Sequence, residues 1–146
     1  MQADTPVYQT NDCAVVAVAL LAGTAYNEAL ETLRFFGRKD NDGAFDHQIL
    51  HSLKSKGHEY REYTVRPAKT IKTLTRWWCE SKRWSLRGPY NLLVTTHDHT
   101  FCYIGTQKID LSEISENSRI EAVWLVNKKK WQEKPEKNLT SIKYNL

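Results

Sequence analysis

Three side chains spread along the chain, Cys13, His99 and Asp110, are of the types that make an activated sulfur nucleophile. A thiol can attack a carbonyl, an imidazole can take its proton, and a carboxylate can fix the imidazole's tautomer and stabilise its charged form. Cys13 is the most telling of the three. A free cysteine usually behaves as a small hydrophobe and needs no polar surroundings. In YQTNDCAVVAVALLAG it stands at the mouth of an apolar run, directly after the hydrogen-bonding cluster Gln9, Asn11 and Asp12.

The run Ala14 to Ala22 is apolar all round, the pattern of a helix buried on every side, and Gly23 is a natural stop for it. Cys13 then sits at the helix N-terminus, where unpaired N–H groups and the macrodipole favour an anion. That placement predicts a thiol pKa below the free value of roughly 8.5. The same N–H groups are ready to stabilise a developing oxyanion, with Gln9 as a second donor and Asn11 competing for that role.

His99 and Asp110 are linked by a hairpin argument. If Gly105 and Thr106 form a two-residue turn, Ile104 pairs with Gln107 and Phe101 falls opposite Asp110. His99, two residues beyond Phe101, shares its face and becomes a diagonal neighbour of Asp110 at roughly 7 to 8 Å between Cα atoms. Other readings compete with this one. Cys13 can be a buried structural thiol and Asp110 an ordinary hairpin carboxylate. His97, read on the same strand face as His99, is an alternative base lying further from Asp110. In HDHTFC, His97, His99 and Cys102 invite a metal reading, but Cys102 points to the opposite strand face and no CxxC accompanies it, so no metal and no cofactor are expected.

The elements that must position these residues read as α+β. A second helix follows Thr24 as N-cap, with Tyr26, Leu30, Leu33 and Phe36 on one face, ending at Gly37. A third runs from Asp46 to Gly57 with Ile49, Leu50 and Leu53 inward, and KTIKTLTRWWCES returns to helical spacing through Ile71, Leu74 and Trp78. HEYREYTV, YNLLVTT, HTFCYIG, QKIDL and IEAVWLV are short β-type runs. Helices first and an antiparallel sheet afterwards predict an α+β domain over residues 1–126.

Over residues 8 to 126, a cysteine opening a central helix (QTNDCAVVAVALLAGTAYNEAL), a strand histidine with an aspartate across a hairpin (HTFCYIGTQKID) and a closing strand (IEAVWLV) resemble the papain-like cysteine peptidase superfamily. The likeness is to its small bacterial and phage members, relatives of the bacteriocin-leader peptidases. It implies a papain-like fold, with the nucleophile at the start of a buried central helix packed on a C-terminal antiparallel sheet. It implies Cys13 as nucleophile, His99 as base and Asp110 as orienter, acting on a peptide or isopeptide bond of a protein or peptide substrate. If the protein is phage-encoded, that substrate belongs to the host cytoplasm. Acyl transfer of the transglutaminase kind, or an idle scaffold that binds a host protein or nucleic acid, are the rival implications. Asp98 stands before the histidine where such proteins usually carry glycine, and Gln9 precedes the cysteine by four residues instead of five or six.

Charge and composition add bounds. The net charge is +4, yet residues 1–126 carry as many basic as acidic side chains, and the excess lies in residues 127–146, with six Lys against Glu133 and Glu136. That basic segment reads as a flexible appendage. From Arg66 to Arg87 seven cations face the single acid Glu80, with Trp77, Trp78 and Trp84 interleaved. This stretch, like the lysine tail with KKKW at Lys128 to Trp131, can contact nucleic acid or an acidic protein, although a solvated helix face with Trp78 inward is the preferred reading. Three unpaired cysteines point to a reducing compartment, and the longest apolar run is too short to cross a bilayer. The expectation is a cytoplasmic protein without membrane contact.

Overall fold

The computed structural model describes residues 8–63, 69–80, 84–110 and 114–128. Three helices come first: α1 (Cys13–Ala22), α2 (Tyr26–Phe35) and α3 (Asp46–Ser55). A short strand β1 (Tyr60–Glu62) precedes α4 (Ile71–Cys79) and the single turn α5 (Trp84–Arg87), which the spacing of apolar residues did not reveal. The chain then runs through β2 (Tyr90–Thr96), β3 (His99–Ile104), β4 (Gln107–Ile109) and β5 (Ile120–Asn127). The strands form one antiparallel sheet in the order β1-β5-β2-β3-β4, so the domain is α+β.

Each face of the sheet has its own core. On one side α1 inserts Ala14, Val15, Val18 and Leu21 between α2, α3 and the sheet residues Leu93, Cys102 and Val126. α1 is apolar all round because it is enclosed on several sides, and Gly23 ends it in the left-handed conformation at φ 69°, with its N–H returning to Ala19 O. On the other side α4 buries Ile71, Leu74 and Trp78 against Leu92, Phe101 and Tyr103. Trp78 is wholly buried and donates its indole N–H to Gly105 O at 2.7 Å. The two-residue turn Gly105-Thr106 sets the expected register, Ile104↔Gln107 through Cys102↔Ile109.

Several local expectations are corrected. α2 starts one residue later than Thr24 would place it: Ala25 is the N-cap, and the Thr24 hydroxyl is buried without a hydrogen-bond partner. Its inner face is Ala29, Leu30 and Leu33, while Phe36 caps the end half-buried and Phe35 is exposed. His97 is not on a strand. Thr96 pairs with His99, so His97 and Asp98 form the connecting turn, and Asp98 takes φ 63°, a left-handed conformation that aspartate tolerates and glycine adopts freely. The domain also extends past residue 126. Asn127 pairs with Tyr90, its N–H donates to Glu59 O, its carbonyl meets His58 Nδ1, and Lys128 N–H donates to Pro89 O. Residues 129–146, with Lys129, Lys130 and Trp131, lie outside the described residues, as do Arg66, Lys82, Arg83 and the Trp84 side chain. Among the described residues, no single helix is long and apolar enough to cross a membrane.

Candidate active site

The hairpin brings His99 and Asp110 together as its register requires. His99 Nε2 lies 2.7 Å from Asp110 Oδ1, with the two side chains only 9% and 2% exposed. At that burial a charge-assisted hydrogen bond fixes the ring, since the low-dielectric surroundings strengthen the contact. The Phe101 ring stacks on the imidazole at 6.0 Å between centroids, limiting its rotation further. With Nε2 committed to the carboxylate, Nδ1 is the ring nitrogen left for a reacting partner. His97, by contrast, is 87% exposed and sits between Asp98 at 3.1 Å and Glu121 at 4.0 Å.

Cys13 reaches the same place from the other face of the sheet. Thr100, Cys102 and Ile104 alternate toward α1, whereas Phe101 and Tyr103 face α4. The β3–β4 ladder ends at Cys102↔Ile109, so the stretch of β3 nearest His99 lies beyond the last paired residue of β4. There Thr100 lines the same small cavity as Cys13, and its backbone N–H favours the ionised thiol, as do those of Ala14 and of Cys13 itself. Cys13, His99 and Asp110 line one small cavity of about 20 Å³, with Val16 and Ile109 as apolar walls. That volume holds about one water-sized group.

The thiol itself corrects an expectation. Burial pushes the Cys13 pKa up, and the N–H groups of Thr100, Ala14 and Cys13 pull against it without winning, while the Asp12 carboxylate raises it further. Desolvation outweighs the helix terminus here. Asp12 does not cap α1; its Oδ2 accepts from Tyr26 Oη at 2.9 Å, and Tyr26 Oη accepts from Gln9 N–H at 3.0 Å. The first-turn N–H groups are thus left for the sulfur instead of for a capping side chain.

The two residues read as oxyanion donors are held elsewhere. Gln9 Oε1 accepts from Arg38 Nη1 at 2.9 Å and from Asn41 N–H at 2.8 Å. Its side chain also helps Arg34, the chief cause, to hold the Asp40 carboxyl below the usual range. Gln9 lines neither the cavity nor the groove beside it. Asn11 does line the groove, but its Nδ2 donates to Asn41 O at 2.9 Å. Both asparagines are left-handed, Asn11 at φ 53° and Asn41 at φ 66°, and the two loops clasp each other. Arg38, only 3% exposed, closes the clasp by also donating Nη2 to Asn11 O at 3.4 Å. A lone arginine after Gly37 carried no sequence signal of this role, and neither did Thr100, which acts through its backbone.

A wide groove of about 1600 Å³ opens from Cys13 and His99 and runs between Phe45 and Asp46 at the start of α3, the His97-Asp98 turn, and Ile120 and Glu121 of β5. Among the described residues, no group of three or more histidine, cysteine, aspartate or glutamate side chains is arranged to hold a metal ion. Cys102 is fully buried on the α1 side, its thiol pushed up to about 12 by desolvation, and it takes no part in the site. Of the basic stretch, Lys69, Lys72 and Arg76 are exposed, Trp77 packs half-buried between Tyr63 and Trp78, and Arg87 donates to Glu80 O at 3.2 Å. Comparison with known protein families, with curated proteins and with solved structures returns no match for this chain.

Proposed function

We propose that this chain is a papain-like thiol hydrolase, a cysteine peptidase-like enzyme that cleaves a peptide or isopeptide bond through Cys13, His99 and Asp110. The observation that carries the reading is the buried His99–Asp110 hydrogen bond of 2.7 Å beside a cysteine at the N-terminus of a buried helix. A carboxylate 2% exposed and spent on an imidazole contributes little as a surface charge, whereas holding a base in one tautomer is what acyl chemistry needs.

The steps follow from the atoms. His99 Nδ1 takes the Cys13 proton as Sγ bonds to the carbonyl carbon, and Nε2–H donates to Asp110 throughout. The oxyanion is met by backbone N–H groups, those of Thr100, Ala14 and Cys13 being the ones that favour negative charge at the sulfur. His99 then returns the proton to the leaving nitrogen as the C–N bond breaks, leaving a thioester on Cys13. Water, deprotonated by His99, resolves the thioester to a carboxylic acid and the free thiol. A raised thiol pKa means that proton transfer accompanies attack, in place of a preformed thiolate. An amine in place of water would make the same site an acyltransferase, the runner-up within this chemistry. The rival reading, a catalytically idle scaffold, draws on the same raised pKa.

Alkylation by iodoacetamide, read residue by residue by mass spectrometry, tests the reading. Cys13 is expected to react faster than exposed Cys79 at pH 7 and to lose that lead in His99→Ala. Labelling of Cys79 ahead of Cys13 in the wild-type chain would sink it.

A further inference from the structure

The groove that opens from Cys13 differs in charge from the rest of the molecule. The chain is net positive, but four carboxylates line this groove, Asp12, Asp46, Asp98 and Glu121, against one arginine, Arg119. Two of the four are spoken for: Asp12 receives the Tyr26 hydroxyl and Asp98 meets His97. Glu121 is only loosely engaged, 4.0 Å from His97. Asp46, in the first turn of α3, is surrounded by like charge. Burial raises its pKa, and Glu121 and Glu62 raise it further, while His47 alone opposes them.

A second, independent feature lies on the floor of the same groove. Thr95 lines it at 3% exposure, and its hydroxyl is buried without a hydrogen-bond partner. Burying a hydroxyl unpaired is unfavourable, and a groove-lining one is satisfied when a ligand brings its own polar group. Around it stand apolar surfaces, the exposed Phe45 ring and half-buried Ala44, Ile114 and Ile120. Carboxylates, an unpaired hydroxyl and apolar patches in one open groove suit an extended polypeptide. They do not suit a phosphate backbone, which the carboxylates repel.

We propose that the groove binds a peptide segment bearing lysine or arginine side chains, with Asp46 and Glu121 receiving the cation and the Thr95 hydroxyl receiving the segment's backbone beside Cys13. This rests on the thiol-hydrolase reading for its purpose, since it names the substrate class of that site, but its test does not. The cation relieves the repulsion between Asp46, Glu121 and Glu62 and draws the Asp46 pKa back down, so binding strengthens as pH rises through the carboxylate range. Asp12, Asp98, His97, His99 and Arg119 are the other charged or titratable groups on the lining.

The experiment uses the full chain as Cys13→Ala, which cannot turn over, and three hexapeptides with a neutral dye and a central Lys-Lys, Ala-Ala or Glu-Glu pair, followed by fluorescence anisotropy. Lys-Lys is expected to bind on the order of tenfold tighter than Glu-Glu at low ionic strength, the ratio shrinking as salt is added. Asp46→Asn with Glu121→Gln should remove the preference, Glu121→Lys, on an exposed side chain, should reverse it, and Thr95→Val should weaken all three peptides alike. Equal binding of the three peptides, no binding at all, or a lysine preference that survives the double variant overturns the proposal. The two readings fail separately. Lysine preference in Cys13→Ala with no rapid alkylation of wild-type Cys13 overturns the hydrolase reading alone, and rapid alkylation with no lysine preference overturns this one alone.

Discussion

The two sides of the sheet use charge in opposite ways. On the α4 side, Lys72 and Arg76 are solvated cations on a helix whose inner face, Ile71, Leu74 and Trp78, is fully buried, and exposed Lys69 precedes it. Around Cys13 the charged groups are mostly carboxylates gathered in a concave groove, and burial first, then Glu121 and Glu62, raise the Asp46 pKa. The first arrangement is what solvation of a helix face requires, and it asks for no ligand. The second brings like charges together along one concave surface, where a bound cation relieves their repulsion. The net charge of +4 therefore says nothing about the site.

That contrast breaks most severely at the triad. Cys13→Ala and His99→Ala are expected to abolish turnover of a lysine-containing peptide, while Asp110→Asn, which removes only the orienting carboxylate, should leave measurable residual rate. His97→Ala, on an exposed turn, should retain most of it. Steady-state cleavage assays on the four variants decide this, and a dead His97→Ala beside an active His99→Ala would reassign the base.

The next effect is in pH. Because burial raises the Cys13 pKa, the thiolate fraction at neutral pH is small and grows as pH climbs beyond the ordinary thiol range near 9.0. In His99→Ala the rate of iodoacetamide alkylation at Cys13 should therefore keep rising through that range. The wild-type chain, with an imidazole to accept the proton, should react at lower pH. Superimposable profiles would mean that His99 does not serve the thiol.

The α4 side should be silent in both assays. Reversing its charges with Lys72→Glu and Arg76→Glu, both on exposed positions, is expected to change peptide cleavage less than about twofold. A large loss would carry the basic face into function and favour the scaffold reading.

The smallest effect is on stability at alkaline pH. Cys102 and Tyr103 are both pushed up to about 12 by desolvation, from 9.0 and 10.0. In that window the unfolded chain has released protons that the folded chain still holds, so stability is full below about pH 9 and falls as pH rises toward 12. Cys102→Ala should flatten the first part of that fall in urea titrations at successive pH values, at the cost of a small cavity beside Leu93 and Val126.

Much of this was legible in the residues themselves. A run as apolar as AVVAVALLA has to be buried, so α1 and the placement of Cys13 at its start follow from solvation alone. The Gly105-Thr106 turn fixed the β3–β4 register, and the period of two then placed His99 and Asp110 on one face. Both arguments are local, and local geometry is what a sequence encodes most directly. The strand that does not contain His97 was misread because HDH lacks glycine, although Asp98 can turn the chain by adopting positive φ.

What the tertiary structure alone decided is everything that depends on distant segments meeting. Gln9 and Asn11 look like donors for Cys13 until Asn41, Arg38 and Asp40, roughly thirty residues on, are seen to occupy their amides. The thiol pKa was misjudged for the same reason: the helix terminus is visible in the sequence, but the burial of the sulfur that outweighs it is not. The acidic groove is a third case, since Asp46 and Glu121 are 75 positions apart and only the fold sets them along one groove. Residue types and short-range spacing set which groups can do chemistry; burial and long-range contact set their protonation, their partners and the surface around them.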